Sequence, residues 1–297
     1  MSTDELAERF TLLRPLLFTI VYEILGSVTE SDDVLQDSYL RWADVDLATV
    51  RDTKSYLAQL VTRQALNALR ASARRREDYI GPWLPEPLLL DENDASTDVL
   101  LAESVSMAML VVLETLTPDE RAVFVLREVF GFYYHDIATA VGKSVATVRQ
   151  VAHRAREHVQ ARRKRFQPVG AARTAQITEQ FMTAASTGDL EGLLSLLAPD
   201  VTWTADSGGK ATAARRPVVG AEKVAAVLTS LFGLGRLGDL RIEMANCNNT
   251  PAMVLSGERL EGVFLIEIAD GKITNFYAVR NPDKLLAVAV PRQISRQ

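Results

Sequence analysis

Helix signals follow one another closely between residues 116 and 165, and they constrain this chain more than any other feature. Pro118 stands at the first position of a helix whose opening turn carries two acidic residues. Gly131 ends that helix, and a short apolar helix is predicted from about Asp136 to Val141. A Gly-Lys-Ser turn follows, in which Ser144 is suited to cap the next helix. Helices joined by a tight glycine turn predict a helix-turn-helix.

The helix after this turn combines an apolar stripe with a basic face. Apolar residues recur at helical spacing, at Val148, Ala152, Ala155 and Val159. From Lys143 to Arg165 the chain has eight basic residues and one acidic residue. Such a helix supplies donors for base edges in the major groove and for phosphates. An exposed basic helix on a three-helix bundle is the alternative, but the capped turn and the paired helices favour DNA binding.

Length and composition limit the class of protein. A chain of 297 residues, 47% of them hydrophobic, predicts two or three domains with apolar cores. Cys247 is the single cysteine, so no disulfide can form within the chain and a cytoplasmic location is expected. No apolar run is long enough to span a membrane, and the acidic N-terminus is unlike a signal peptide, so no membrane partner is expected. His153 and His158 are five residues apart, which is poor spacing for a metal site on a helix, and no metal or other cofactor is predicted.

The net charge of −5 conceals strong segregation of charge along the chain. From Arg63 to Arg76 there are five arginines and no acidic residue. From Glu77 to Glu120 there are eleven acidic residues and no lysine or arginine. Basic blocks that can meet DNA phosphates therefore flank an acidic connector, which DNA would repel and which a basic protein channel could accept.

The N-terminal block, residues 6–78, is predicted to be helical throughout. After Gly26 a helix is expected to carry an outward polar side composed of Asp33, Gln36, Asp37 and Arg41. The last helix of the block has polar residues on one face at helical spacing, namely Arg63, Asn67, Arg70 and Arg74. A generic helical bundle with solvated charges is the alternative for this block taken alone.

Together, the two helical blocks and their connector resemble the extracytoplasmic-function (group 4) RNA polymerase sigma factors over residues 6–166. The resemblance implies sigma region 2 at residues 6–78, an acidic linker at 79–112 and sigma region 4 at 113–167. It implies a protein that binds the polymerase core and directs promoter-specific initiation, and that is not an enzyme.

The resemblance also implies roles for individual residues. Asp33, Gln36, Asp37 and Arg41 would dock on the clamp helices of the largest polymerase subunit, while region 4 would contact the flap. Arg63, Asn67, Arg70 and Arg74 would contact the −10 element beside a base-capturing loop at about residues 44–53. The −35 element would be contacted by Lys143, Ser144, Thr147, Arg149, Gln150 and Arg154. Val151 stands where many members carry a basic residue.

The connector contains a proline-rich motif that reads G-P-W-L-P-E-P from Gly81 to Pro87. Its three prolines forbid regular helix and favour an extended path. A strut pinned to a neighbouring domain is one interpretation. The motif also resembles the linker of a sigma-factor subgroup with a fused C-terminal SnoaL-like or NTF2-like domain, in which the interdomain residues would be Trp83, Leu84, Pro85, Glu86 and Pro87.

Residues 174–290 are predicted to form that third domain. Two helices, a strand from about Val201 and a helix over 221–232 precede strands over 240–245, 252–255, 262–268 and 273–279. This order predicts an α+β cone with a long antiparallel sheet, so the whole chain would be two all-α helical domains plus an NTF2/SnoaL-like cone. The candidate pocket residues are Trp203, Asp206, Phe264 and Tyr277. Asp206 would be the general base in an enzymatic interpretation, but the domain offers no histidine. A pocket that binds a small molecule without chemistry is a second alternative, and a protein-contact role is favoured.

Two loops of the third domain support the contact role. D-S-G-G-K resembles a glycine-rich motif of the subgroup, with Ser207 in place of one glycine, and N-P-D-K-L follows the last strand and also resembles a subgroup motif. The regulatory interdomain residues in these loops would be Asp206, Gly208, Gly209, Lys210, Asn281, Pro282 and Asp283. Ordinary turns are the alternative for each loop. We therefore predict a sigma factor modulated in cis by its C-terminal domain; the rivals are a regulator that binds DNA without polymerase and a SnoaL-type enzyme with a DNA-binding appendage.

Overall fold

The computed structural model describes residues 3–91, 98–162, 169–233 and 240–296, without the side chains of residues 3, 73–77, 171 and 233. The described residues divide into two compact units. The first draws on the ranges Met1–Asp78, Leu90–Lys164 and Arg292–Gln297, and the second on Tyr79–Leu89 and Arg165–Pro291. The linker segment Tyr79–Leu89 thus belongs to the second unit, whereas the C-terminal tail belongs to the first.

The first helical domain is helical, as its sequence predicts, and its described helices are α1 (Thr3–Leu25), α2 (Val28–Ala43) and α3 (Thr53–Glu77). Ser27 caps α2 by accepting a hydrogen bond from the Glu30 backbone N–H at 3.1 Å. Trp42 is fully buried and its indole N–H donates to the Leu6 carbonyl at 2.8 Å. A short 3₁₀ turn, Leu47–Thr49, lies in the segment predicted as a loop.

The second helical domain comprises α4 (Val99–Ser104), α5 (Met107–Leu113), α6 (Pro118–Phe124), α7 (Tyr134–Val141) and α8 (Val145–Arg162). Thr117 and Glu120 form a capping box at the start of α6, which continues as a π turn over Val125–Val129. The apolar stripe predicted on α8 is confirmed, because Val148, Ala152, Ala155 and Val159 are all buried.

Helices α4 and α5 lie in the segment that sequence reasoning treated only as an acidic connector. The high density of acidic residues obscured a periodic apolar pattern, in which Leu101, Val105, Leu110 and Leu113 are buried. The C-terminal part of the connector is therefore packed structure.

The second unit is an α+β cone. Its helices are α9 (Ala171–Thr187), α10 (Leu190–Leu196), α11 (Ala221–Gly233) and α12 (Pro282–Leu285). Its strands are β1 (Leu197–Asp206), β2 (Val218–Val219), β3 (Arg241–Cys247), β4 (Thr250–Ser256), β5 (Leu260–Ala269) and β6 (Lys272–Val279), in the sheet order β2-β1-β6-β5-β4-β3.

The prediction of a fully antiparallel sheet is wrong for one pair of strands. Strands β3 to β6 form an antiparallel meander, but β1 pairs with β6 in parallel, as Trp203 opposite Phe276 illustrates. A long connection containing α11 separates β1 from the meander, so no tight hairpin forces β1 to run antiparallel to β6. On its other side β1 pairs antiparallel with the short strand β2. An aromatic cluster of Phe181, Trp203, Phe264 and Phe276 fills the core beside this pair.

Candidate nucleic-acid interface and linker site

Helix α2 presents one exposed polar face that contains all four residues predicted to dock on polymerase core. Asp33, Gln36, Asp37 and Arg41 are exposed, whereas Val34, Leu35, Ser38 and Trp42 are buried on the opposite side. Leu40 is 60% exposed on the polar face. The helix therefore offers a charged surface around one apolar side chain.

Helix α3 carries the residues predicted for the −10 element, and two of them contact the second helical domain. The Arg63 guanidinium donates to the Thr139 carbonyl at 2.8 Å. The Arg70 guanidinium donates to the Asp119 carboxylate, also at 2.8 Å. Asn67 is exposed, and the side chain of Arg74 lies outside the described residues.

Asp119 connects residues from both predicted DNA surfaces. Lys143, predicted for the −35 element, places its ammonium 3.0 Å from the second Asp119 oxygen. Burial raises the pKa of Asp119, but the hydrogen bonds from Lys143 and Arg70 outweigh it and hold that pKa below its usual range. One carboxylate thus joins the predicted −10 face of α3 to the turn before α8.

The remaining residues predicted for the −35 element lie at the start and along the outer face of α8. Ser144 caps the helix by accepting from the Thr147 backbone N–H at 3.2 Å. Arg149, Gln150 and Arg154 are exposed, and the Arg149 guanidinium lies 5.6 Å from the centre of the Tyr134 ring. Val151 is only 4% exposed, so an apolar residue at this position completes the core of the domain and is not available to read bases.

A buried polar junction links α1 to the second helical domain, and sequence reasoning missed it. Glu23 is fully buried, and its carboxyl accepts from Ser104 Oγ at 2.7 Å, while its backbone carbonyl accepts from Arg121 Nε at 2.9 Å. Burial raises the pKa of Glu23 to about 8, against the opposing effects of Ser104 and Arg121. Burial therefore favours the neutral form of Glu23.

The C-terminal tail adds two ion pairs to the first unit that no local sequence signal announced. Arg292 binds both carboxylate oxygens of Asp32, at 3.2 and 2.6 Å. Arg296 donates to Asp98 at 2.5 Å and holds the pKa of that carboxyl below its usual range. Asp32 neighbours the predicted docking face of α2, and Asp98 caps α4. The tail thus joins the two helical domains.

In the second unit, the linker is held by a cluster that we call the linker latch: Tyr79, Trp83, Leu84, Asp206, Asn281 and Lys284. Asp206 is fully buried, and its carboxylate accepts from the Tyr79 hydroxyl, from the Leu84 backbone N–H at 2.8 Å and from Lys284 Nζ at 2.7 Å. Lys284 also donates to the Leu84 carbonyl and lies 3.2 Å from the centre of the Trp83 ring. Asn281 donates to the Tyr79 hydroxyl at 2.8 Å.

The glycines of the D-S-G-G-K loop are explained by the latch. A Cβ on Gly208 would lie 2.6 Å from Asn281 Nδ2, and one on Gly209 would lie 3.0 Å from Ile80 Cδ1. Both glycines have positive φ, 56° and 74°, so a larger side chain would be both strained and obstructed. Lys210 pairs with Asp283, but both side chains are exposed.

The structure therefore brings the predicted interdomain residues of all three motifs together. Leu84, Pro85, Glu86 and Pro87 are buried along the linker. Leu88 extends the attachment, because its N–H donates to Asn248 Oδ1 and its carbonyl accepts from the Asn248 N–H, both at 2.9 Å. Sequence reasoning missed Tyr79 and Lys284, although Lys284 lies inside the N-P-D-K-L motif.

The cone also contains a partly open cavity of about 690 Å³, and only two of the four predicted pocket residues line it. Trp203 and Phe264 contribute to its wall, but Asp206 and Tyr277 do not. Successive side chains of a strand point to opposite faces, so Ala205 faces the cavity where Asp206 faces the linker. Tyr277 donates to Glu267 at 3.0 Å. Asp206 therefore cannot act as a base inside this cavity.

Within the part of the chain that the structure describes, no group of histidine, cysteine or acidic residues has the arrangement of a metal site. None of the helices described is long and apolar enough to cross a membrane.

Three family models match the chain in the order of its domains. Sigma-70 region 2 matches residues 10–75, sigma-70 region 4 matches 106–159, and the SnoaL-like domain matches 178–276. Together with the fold, these matches define a class of protein: a sigma factor whose two helical regions are fused to a SnoaL-like domain.

Similar proteins cover nearly the whole chain. The ECF RNA polymerase sigma factor SigJ of Mycobacterium tuberculosis is 35% identical over 287 residues, which are 93% of this chain and 91% of the relative. A probable ECF sigma factor, SigI, of the same organism is 29% identical over 95% of each chain. The crystal structure of M. tuberculosis SigJ superposes with a TM-score of 0.76 at 32% identity, covering 95% of this chain and 98% of the other.

This chain belongs to the ECF RNA polymerase sigma factors. Members of the family bind RNA polymerase core and promoter DNA. The predicted fold, two helical sigma domains plus a SnoaL/NTF2-like α+β domain, is confirmed.

Proposed function

We propose that this sigma factor has a closed form in which region 4 covers part of the −10 surface, and that the fused SnoaL-like domain modulates its opening through the linker latch. The observation that carries the proposal is the engagement of Arg63 and Arg70 by region 4. Arg63 donates a hydrogen bond to Thr139, and Arg70 donates one to Asp119. In a complex with promoter DNA, phosphates would accept these hydrogen bonds instead. Binding of the −10 element then requires region 2 to separate from region 4.

Core binding would supply the free energy for this separation. We assign docking on the clamp helices to the exposed face of α2, with Asp33, Gln36, Asp37 and Arg41 around Leu40. Region 4 would dock on the flap, and Arg149, Gln150 and Arg154 would contact the −35 element. The protein would act in the cytoplasm, where polymerase and promoters are found.

The SnoaL-like domain would influence opening because it holds the linker between the two sigma regions. The latch fixes Tyr79 to Leu89 on the cone, through one buried ion pair and several hydrogen bonds. Regions 2 and 4 are then joined by fewer free residues, and weak contacts between them act at high effective concentration. Asp206 accepts three hydrogen bonds in the latch, which supports a contact role for this domain and not acid–base chemistry.

The closed form can be tested by replacing Asp119 with asparagine. This variant breaks the ion pairs of Asp119 with Arg70 and with Lys143 and so frees both cations for DNA. Because both pairs are partly exposed and therefore weak, we expect promoter binding by the holoenzyme to strengthen about twofold to tenfold. Glu128→Gln is the matched control, since Glu128 pairs with Arg156 at 2.7 Å inside region 4. Equal affinities for the Asp119 and Glu128 variants and the unmodified protein would contradict the closed form.

Modulation by the SnoaL-like domain can be tested by run-off transcription with purified core polymerase. The full chain is compared with a truncation that ends at Gln167, on a template from the protein's own upstream region. A more active truncation would make the domain an inhibitor, and a less active one would make it an activator or a core-docking element. Equal activity of the two forms would overturn modulation in cis.

A further inference from the structure

The cavity of the SnoaL-like domain has a mostly apolar wall. It lies between α11 and the sheet, and its volume of about 690 Å³ is within the range of sites that enclose small molecules. Trp203, Phe264, Leu231 and Leu255 provide large apolar surfaces, and several alanines leave the interior open. A ligand of this site would need an apolar body.

The wall has few polar groups, and they differ in how many of their hydrogen-bonding atoms are already paired with other protein groups. Among the described lining residues the charged ones are Glu261 and Arg280. Glu261 is paired with Arg259, whose Nε lies 3.0 Å from its carboxylate. Arg280 donates one N–H, from Nη1, to the Thr212 carbonyl at 2.7 Å. A guanidinium carries five N–H donors, so Arg280 retains donors in the fork geometry that suits a carboxylate.

Arg280 directly follows β6, and its stem lies beside the neighbouring strand β5. Gly262 lies on β5 beside it, and a Cβ there would stand 3.5 Å from Arg280 Cγ and 3.3 Å from the Phe264 ring. The arginine stem therefore packs against β5 at Gly262, next to the aromatic wall. The apolar surface and the cationic fork are therefore adjacent.

We propose that this cavity binds a small carboxylic acid with an apolar body, its carboxylate paired with Arg280 and its body against Trp203 and Phe264. The charge of the Arg280 guanidinium selects an anion, and the mostly apolar wall selects against strongly hydrated anions such as phosphate.

The same chain segments form the cavity wall and the linker latch. Ala205 lines the cavity and the next residue, Asp206, binds the linker; Ala278 and Arg280 line the cavity and lead into Asn281. A backbone hydrogen bond from Arg280 N to the Asp206 carbonyl, 2.7 Å long, ties the two segments together. Binding of the acid is therefore transmitted to the latch, a step that rests on the proposed function of the domain.

Binding can be measured by calorimetry on the full chain with decanoate and with decan-1-ol, which share an apolar body and differ in charge. We expect decanoate to bind at least about tenfold more tightly than the alcohol, the usual worth of a charged hydrogen-bonded contact. Arg280→Met should remove that preference and leave alcohol binding unchanged. Arg241→Met is the control, because Arg241 is an exposed arginine on the same domain that does not line the cavity. Ala226→Phe, which fills the cavity, should abolish binding of both probes.

The proposed site would be overturned if decanoate did not bind, or if the Arg280→Met variant and the unmodified protein bound decanoate equally. Coupling is read separately, from hydrogen exchange in the peptide that contains Leu84, with and without decanoate. Binding with unaltered exchange would overturn the coupling alone. The run-off comparison with the Gln167 truncation tests the proposed function independently of both results.

Discussion

The buried ion pair between Asp206 and Lys284 allows a quantitative test of the linker latch. The two side chains are 0% and 4% exposed, and their charged atoms are 2.7 Å apart. Removal of one partner from such a pair costs about 3–5 kcal/mol, because the remaining charge stays buried without compensation. Lys284→Met should therefore lower the free energy of local opening at the linker by this amount.

The Leu84 backbone N–H reports on that opening, since it donates to Asp206 inside the latch. A loss of 3–5 kcal/mol corresponds to a fall in hydrogen-exchange protection of about 150-fold to 5,000-fold. Hydrogen-exchange mass spectrometry of peptides over residues 79–91 measures it in the full chain. Lys210→Met is the matched control: Lys210 pairs with Asp283, but the two side chains are 54% and 64% exposed, so its loss should cost at most about 1 kcal/mol.

The double variant Asp206→Asn, Lys284→Met separates the ion pair from the packing around it. Because neither charge remains buried, its loss of protection should be much smaller than the sum of the two single losses. Additive losses would show that the two residues act independently. Equal exchange in the Lys284 and Lys210 variants would refute the reasoning, since it would mean that the latch does not hold the linker.

Three further outcomes follow from the helical unit. Burial raises the pKa of Glu23 from 4.5 to about 8, so the stability contributed by its neutral form is fully present below pH 4.5 and is lost as the pH rises through about 8. Urea unfolding at a series of pH values measures this decline, and Glu23→Gln should flatten it. An unchanged pH profile in that variant would contradict the burial effect. Arg149→Ala should cost about 1–3 kcal/mol of −35 discrimination in binding assays on a panel of promoter variants, and an unaltered preference would remove Arg149 from the base-reading face. A chain that ends at Pro291 lacks the Arg292 and Arg296 ion pairs and should show faster hydrogen exchange in α4, whereas equal exchange would mean that the tail does not order this helix.

The parts of the fold that the sequence predicts correctly are those that local chemistry determines. Pro118 and the acidic turn after it begin α6, and Ser144 caps α8 through its own side chain. Each signal acts over three or four residues, so it can be recognised in the sequence without knowledge of the tertiary structure. The same holds for the buried stripe of α8, whose period of a helical turn is present in the chain itself.

The features that sequence reasoning missed depend on partners far along the chain. The parallel pairing of β1 with β6 joins residues separated by the whole domain, and Asp32 binds Arg292 across most of the protein. Nothing near Asp206 in the sequence indicates that its side chain faces the linker and not the cavity. Alternation along a strand separates the residues of its two faces, but it does not reveal which face lines the cavity. In the acidic connector, by contrast, the local signal was present: the apolar residues of α4 and α5 recur at helical spacing, but the high negative charge of the segment concealed them.

The chain leaves the helical unit for the linker and returns at Leu90, then leaves it again after region 4 and returns at the tail, and this route has a consequence for regulation. The latch holds Tyr79 to Leu89 on the SnoaL-like domain, whereas Arg292 and Arg296 bind region 2 and the start of α4. A variant of Lys284 releases only the first attachment, and a chain ending at Pro291 releases only the second. The Gln167 truncation removes both attachments together, so under the proposed mechanism its effect on transcription should exceed that of either single change. A Lys284 variant that reproduced the whole effect of the truncation would instead assign all control to the linker and leave the tail a structural role.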